Sequence, residues 1–279
     1  MSLMLKLLAT ALLLTSSSLF ASSSDKVVEK FLEKKFKANP NIISLKVKVK
    51  EKVSIKKLQG WDAYIVNVDA MVKAKPKNRK VSQKMIWFYN GEYITQDFIS
   101  VKTGMSLKDL VTPPFKDEYY KKENLIYGNA NAKHKIAIFS DPLCPFCREF
   151  VPKALKDMKQ KPDTFAIYYY HFPLPSLHPA AVELAKAAIA AELQGRKDVI
   201  LNLYKVKLNP KERDVKKILK AFNKALGTDI KPADIQSPAV EAQYKKDLEL
   251  ADLIMVQGTP TMYFDGKVDK SKKKYKKVK

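Results

Sequence analysis

The feature that most constrains this chain is its pair of cysteines, Cys144 and Cys147, the only two in 279 residues. A disulfide between them closes a very small loop, and the chain-entropy model gives such a staple only about 2 kcal/mol. A chain of this length buries a large core without staples. A structural zinc site needs four ligands, and His134, His171 and His178 stand at no ligand spacing from one another. We therefore predict a redox-active pair and no metal site.

The residues around the pair predict a strand that leads into a helix. Residues 135–140 form a short apolar run, and Pro145 suits the first position of the helix that follows. Cys144 is then the N-cap, where free N–H groups and the helix dipole stabilise a thiolate. We expect Cys144 to be the exposed nucleophile. Cys147, on the inward face of the helix, is expected to be the resolving thiol.

The wording Asp-Pro-Leu-Cys-Pro-Phe-Cys at 141–147 resembles the periplasmic thiol-disulfide proteins DsbC and DsbG of the thioredoxin superfamily. A second mark of that superfamily is the Thr259-Pro260 pair far downstream. The resemblance implies a thioredoxin fold in which this proline is cis and lies beside the cysteines. It also implies that Pro145, Phe146, Thr259 and Pro260 shape the contact with substrate backbone, which pairs with Thr259 as an added strand.

One position departs from thioredoxin itself. Thioredoxins carry a buried acid six residues before the first cysteine, where it assists proton transfer, and Ile138 stands there in this chain. The apolar residue is similar to the DsbC and DsbG group. It speaks against a thioredoxin-like proton relay and removes an anion that would raise the cysteine pKa values.

The first 21 residues have the layout of a secretory signal peptide, with Lys6, an apolar run at 7–14 and small residues before a cleavage site near Ala21. The alternative is a membrane anchor, but a bilayer span needs roughly 20 apolar residues. We expect export to the periplasm.

Residues 24–102 are predicted to form a small α+β domain. An amphipathic helix at 25–38 precedes about four antiparallel strands, and Asn90-Gly91 predicts a two-residue hairpin turn. The order of elements resembles the cystatin-like dimerisation domain of DsbC and DsbG, which implies a homodimer. An edge strand is then free to pair with its twin. The aromatic run at 87–89 either lines the cleft of that dimer or belongs to the core.

Residues 103–122 read as the linker, and 123–279 as the thioredoxin-like catalytic domain with a helical insertion at about 176–256. An alanine-rich helix at 180–193, ended by Gly195, opens this insertion, and further helical patterns follow. His171 and His178 either tune the redox site or are ordinary polar residues at element ends.

The chain is strongly basic, with 52 lysine and arginine residues against 29 acidic ones and a net charge of +23. Few of the basic residues are arginine, which DNA-binding proteins use for base contacts, and no nucleic-acid motif is present, so no nucleic-acid partner is expected. The lysine-rich end at 268–279 is interpreted as a solvated, mobile terminus or as a docking segment for anionic partners.

Three functions fit these features. The first is a dimeric isomerase or reductase that exchanges disulfides with unfolded or misoxidised proteins and depends on a membrane redox partner protein. The second is a dithiol oxidase of the DsbA type, and the third is a holdase chaperone that needs neither cysteine. Thiol-disulfide exchange requires no metal or organic cofactor.

Overall fold

The computed structural model of the protein describes residues 23–75, 77–161, 163–196 and 198–278. The predicted signal peptide, residues 1–21, lies outside them. The chain divides into two units, one that ends at Lys108 and one that begins at Asp109. Within the described ranges, no helix combines the length and the apolar character that a membrane crossing requires.

The first unit is one helix followed by an antiparallel sheet in the order β1-β2-β3-β4. Its elements are α1 (Ser23–Lys37), β1 (Ile42–Ser54), β2 (Asp62–Val72), β3 (Arg79–Tyr89) and β4 (Ile94–Thr95). Val28 and Leu32, one helical turn apart, are fully buried and pack with Val47, Tyr64 and Trp87 of the sheet. Trp87 therefore belongs to the core of this unit.

The edge of β1 is not as open as the sequence implies. The backbone N–H of Val49 donates to Glu29 Oε1 at 2.8 Å, and that of Val47 donates to Glu33 Oε1 at 3.3 Å. Both carboxylates come from α1, so the helix occupies the donors that a twin strand would use. The middle of β1 therefore does not offer a free pairing edge.

The predicted two-residue hairpin turn is also wrong. Tyr89 pairs with Ile94, so the loop holds four residues. The Asn90 side chain accepts hydrogen bonds from the N–H groups of Glu92 and Tyr93, at 3.0 and 2.7 Å. This local capping by the asparagine favours the longer turn over the tight one.

The second unit is a five-stranded sheet in the order β5-β7-β6-β8-β9, with helices packed on it. The strands are β5 (Leu125–Tyr127), β6 (His134–Ser140), β7 (Phe165–His171), β8 (Thr261–Phe264) and β9 (Lys267–Val268). The helices are α2 (Pro145–Lys159), α3 (Ala180–Leu193), α4 (Val199–Leu203), α5 (Val215–Leu226), α6 (Pro232–Ile235) and α7 (Pro238–Leu253). Strands β6 and β7 are parallel, and β8 runs antiparallel to β6.

The central strands are buried on both faces, as their continuous apolar runs predict. Alternate residues serve two separate clusters. Ile138 and Tyr169 face the cluster that contains both cysteines and α3, whereas Phe139 and Tyr170 face a second, aromatic cluster around Phe115. Tyr169 and its neighbour Tyr170 are thus equally buried tyrosines on opposite faces of one sheet.

Both ends of the second unit pack more closely than the sequence predicts. Residues 109–122, part of the segment predicted as a linker, contribute the buried Phe115 to the aromatic cluster. The lysine-rich end also packs, because Tyr275 is 4% exposed and its hydroxyl lies 3.2 Å from the Asp157 carboxylate of α2. The interpretation of this end as a solvated, mobile terminus is wrong through Val278, whose carbonyl accepts a hydrogen bond from Lys161.

Candidate redox site

Cys144 and Cys147 lie at the start of α2, and both carry free thiols. Cys144 is the extended N-cap residue, with φ −65° and ψ 124°, and Pro145 begins the helix as predicted. Cys147 is fully buried, on the inward face of the helix. The expectation of an exposed Cys144 is wrong, because this residue is only 5% exposed; the prominent side chain is Phe146, at 72%.

The sulfur of Cys144 does not cap the helix through a side-chain hydrogen bond, contrary to our expectation. It lies instead 3.6 Å from the carbonyl oxygen of Thr259, a residue far away in the sequence. The Thr259–Pro260 peptide bond is cis, as the family resemblance implies. The structure thus brings Cys144, Cys147, Thr259 and Pro260 together at one end of the sheet.

The loop between β6 and the cysteines is held by Asp141, a fully buried side chain that the sequence analysis missed. Its Oδ1 accepts from the N–H groups of Leu143 and Cys144, at 2.7 and 3.2 Å. Its Oδ2 accepts from the N–H of Leu174 at 2.8 Å and lies 2.9 Å from His178 Nδ1. His178 therefore joins the site through Asp141. The only signal in the sequence was an acid placed directly after a buried strand.

Arg148 holds the cysteine loop in place, whereas His171 is a buried residue at the end of β7. Arg148 donates from Nη1 to the Pro142 carbonyl and from Nη2 to the Val206 carbonyl, each at 3.0 Å, which ties the cysteine loop to the segment after α4. His171 ends β7 and is buried, and burial lowers the pKa of its ring to about 3. Its backbone N–H donates to Asp247 at 2.9 Å.

Burial dominates the chemistry of Cys147 and raises the pKa of its thiol to about 12. The hydroxyls of Ser140 and Thr259 and the backbone of Asp141 lower this pKa without offsetting the burial. Ser140 is the last residue of β6, two positions after the fully buried Ile138. No carboxylate comes from Ile138, so hydroxyl groups are the polar neighbours on this face of the strand.

Pro145 and Phe146, predicted to meet substrate, are both exposed at the start of α2. Thr259 and Pro260 are half-buried across from them. Among the residues that the structure describes, no group of three histidine, cysteine or acidic side chains has the arrangement of a metal site. The arrangement can bind an extended backbone and exchange a disulfide.

Comparisons with known proteins match parts of this chain. A family model described as Thioredoxin matches residues 121–279, more than half of the chain. A curated relative, the Na(+)/H(+) antiporter NhaA 1 of Mycolicibacterium gilvum, is 29% identical over an alignment of 148 residues that covers 51% of this chain. The chain spans only 23% of the length of that antiporter.

Two solved structures have partial similarity. ScsC from Proteus mirabilis, in a transitional conformation, is 22% identical, with a TM-score of 0.46 over 58% of this chain and 72% of that one. Oxidised BdbD from Bacillus subtilis is 23% identical, with a TM-score of 0.44 over 56% of this chain and 88% of that one.

Proposed function

Because the chain belongs to the thioredoxin family, we propose that it is an exported thiol-disulfide oxidoreductase that isomerises or reduces disulfides in protein substrates. One observation carries this proposal: two free thiols lie at a helix N-terminus with the sulfur of Cys144 3.6 Å from the Thr259 carbonyl. A substrate disulfide that enters beside Thr259 meets this sulfur first.

The reaction proceeds through a mixed disulfide. The Cys144 thiolate attacks one sulfur of the substrate disulfide, and the other substrate sulfur leaves as a thiolate and takes up a proton. The bond between Cys144 and substrate then breaks in one of two ways. A second substrate thiol attacks it, which isomerises the substrate, or Cys147 attacks Cys144 and releases a reduced substrate.

The burial of Cys147 supports isomerisation. With its pKa raised to about 12, very little of this thiol is ionised at neutral pH. A solvated substrate thiol, with a pKa of about 8.5, supplies far more thiolate and competes for the mixed disulfide. The second candidate is a dithiol oxidase, which the N-cap position of Cys144 favours, because a helix N-terminus stabilises the reduced form.

The remaining parts of the proposal rest on sequence pattern and family resemblance. The first 21 residues support export to the periplasm. The helix-and-sheet unit supports a cystatin-like dimerisation domain of the DsbC and DsbG type, and hence a homodimer. Because Glu29 and Glu33 occupy donors in the middle of the β1 edge, we place the dimer contact outside that stretch. A membrane redox partner protein returns the cysteine pair to its working state.

The test is refolding of a model protein with scrambled disulfides by wild type, Cys144→Ser and Cys147→Ser. We expect Cys144→Ser to be inactive and Cys147→Ser to keep much of the isomerisation, since substrate thiols resolve the intermediate. Suppression of aggregation that survives in Cys144→Ser without any exchange would instead indicate a holdase.

The direction of electron flow is tested by acid trapping, alkylation and gel shift of the two cysteines in the native host. We expect a mainly reduced pair. A mainly oxidised pair would overturn the isomerase or reductase assignment in favour of the dithiol oxidase.

A further inference from the structure

Three buried hydroxyl groups lie in a row, and the two tyrosines among them belong to the same buried cluster as Cys147. Ser140 Oγ lies 2.7 Å from the Tyr204 hydroxyl, which in turn lies 2.8 Å from the Tyr169 hydroxyl. These residues come from the end of β6, the residue after α4 and the middle of β7. All three are buried, Tyr204 being the most exposed at 6%. Three separate elements therefore converge on one polar group inside an apolar cluster.

The three hydroxyls can donate along this row in either direction, and one of the two directions reaches Cys147. Each hydroxyl has a single hydrogen to donate. If Tyr169 donates to Tyr204 and Tyr204 donates to Ser140, the hydrogen of Ser140 is left for the sulfur of Cys147. The neighbouring Ser140 hydroxyl does lower the pKa of that thiol. An anionic sulfur accepts this hydrogen bond more strongly than a neutral thiol does.

We propose that Tyr169, Tyr204 and Ser140 form a donor chain that stabilises the thiolate of Cys147 while it resolves the mixed disulfide. The inference rests on the proposed function, since it concerns the second step of the exchange. Ser140 acts on the reacting sulfur directly. Tyr204 and Tyr169 are positioning residues, because they act through Ser140.

The protons and electrons of this step balance without a general base among the three hydroxyl residues. Cys147 loses its proton, its sulfur attacks Cys144, and the bond between Cys144 and the substrate sulfur breaks. The released substrate thiolate takes up one proton from solvent, so the net transfer is from Cys147 to the substrate. Burial raises the pKa of both Tyr169 and Tyr204 well above the ordinary tyrosine value, so both hydroxyls stay protonated and each keeps a hydrogen to donate.

The titratable groups around Cys147 do not themselves stabilise its thiolate. Cys144 is bonded to substrate at this stage and carries no charge, and the Asp141 side chain is engaged by backbone N–H groups and His178. Ile138 provides no acid. Within the described residues, the hydroxyls of Ser140 and Thr259 are the side-chain groups that lower the pKa of this thiol, and of the two only Ser140 is hydrogen-bonded to further hydroxyls.

The experiment uses dithiobis(nitrobenzoate), an aromatic disulfide whose released thiol absorbs visible light. Reduced protein releases a first equivalent when Cys144 attacks the probe and a second when Cys147 resolves the mixed disulfide. Ser140→Ala removes the direct donor, and Tyr204→Phe removes the hydroxyl that orients it. Tyr170→Phe is the matched control, because Tyr170 is equally buried but donates to the Tyr119 carbonyl on the opposite face.

A lost hydrogen bond to a charged sulfur raises its pKa by about one to two units. Because a more basic thiolate is also a better nucleophile, the net rate falls by only about three- to tenfold. We expect this fall in the second release for Ser140→Ala, a smaller one for Tyr204→Phe, and a pH profile displaced to higher pH. The first release and the Tyr170→Phe control should match wild type.

A second release that keeps the wild-type rate and pH profile in both variants overturns the donor chain. The donor chain is also tested without disulfide exchange, by measuring the rate at which Cys147 is alkylated in a Cys144→Ala background. If Tyr204→Phe does not fold, Tyr169→Phe is the milder variant for this measurement. If wild type fails to refold scrambled substrates while these alkylation rates still fall, the proposed function is wrong and the donor chain stands.

Discussion

Replacing Asp141 with alanine removes the acceptor that joins two loops beside the cysteines. The carboxylate accepts hydrogen bonds from the N–H groups of Leu143 and Cys144 in one loop. From the other loop it accepts a hydrogen bond from the N–H of Leu174 and contacts the ring nitrogen of His178. The side chain is fully buried, so no solvent is in place to satisfy these donors when it is removed.

The size of the effect follows from this geometry. Each buried donor left without an acceptor costs about 1–3 kcal/mol, and Asp141 is the acceptor for several donors at once. Because some donors can turn toward water after the loops relax, these costs do not add. We expect Asp141→Ala to lower the free energy of unfolding of the second unit by about 3–5 kcal/mol. Asp141→Asn keeps one oxygen and should lose about half as much.

The chain provides its own reference for this assay. Both tryptophans, Trp61 and Trp87, lie in the first unit, whereas α2 to α7 lie in the second. Denaturation followed by helical circular dichroism therefore reports mainly the second unit, and tryptophan fluorescence reports the first. Asp269→Ala is the control, because Asp269 is another buried carboxylate of the second unit, bonded to Ser271 and the Lys274 N–H.

The control separates stability from chemistry. We expect Asp269→Ala to destabilise the second unit and to leave the rate at which Cys144 attacks a small disulfide unchanged, while Asp141→Ala lowers both. A loss below about 1 kcal/mol for Asp141→Ala, less than one unsatisfied buried donor, would refute the reasoning.

Three further outcomes follow from the structure. Burial raises the pKa of Asp247 to about 7 from 3.8, so the folded chain holds a proton that the unfolded chain releases. This group therefore makes the free energy of unfolding fall as pH rises between these two pKa values. Asp247→Asn should reduce the decrease of the denaturation midpoint over this pH range. An unchanged dependence of the midpoint on pH contradicts the raised pKa. The double variant Glu29→Ala, Glu33→Ala frees donors on the β1 edge, so self-association measured by sedimentation should increase. The matching glutamine double variant keeps the acceptors and should not increase self-association. Equal association of the two double variants argues against edge protection. Phe146→Ala should slow exchange with unfolded proteins by roughly ten- to a hundredfold, because burying this side chain against substrate is worth about 1.5–3 kcal/mol. Exchange with a small disulfide should keep its rate. Equal slowing of both substrates would show that Phe146 acts on the cysteines instead.

Local rules in the sequence predict the start of the site correctly. Pro145 begins α2 and Cys144 precedes it because proline suits the first helical turn and the apolar spacing defines an inward face for Cys147. The contact of Cys144 with Thr259 spans 115 positions, and no local rule predicts it. Only the resemblance of the Thr259-Pro260 pair to a known family placed it beside the cysteines.

Three of the differences between expectation and structure share a physical cause: side chains satisfy backbone donors that a pattern of apolar residues cannot reveal. Asn90 caps two N–H groups and lengthens a turn, and Glu29 and Glu33 reach across from α1 to close an edge. Asp141 does the same inside the site. In each case the residue type is ordinary for its position, and only the fold shows which donor it meets.

Burial and the hydroxyl row shift the pKa of Cys147 in opposite directions. Burial of Cys147 suppresses its thiolate, and suppression alone would leave every mixed disulfide to the substrate's own thiols. A hydrogen bond from Ser140 restores part of the thiolate without adding a charge to the core, which a carboxylate at position 138 would do. The balance sets how long Cys144 stays bonded to a substrate before Cys147 releases it. Lengthening that time by removing donors should shift product from reduced to isomerised substrate, so the same variants that slow resolution should refold scrambled proteins no worse than wild type.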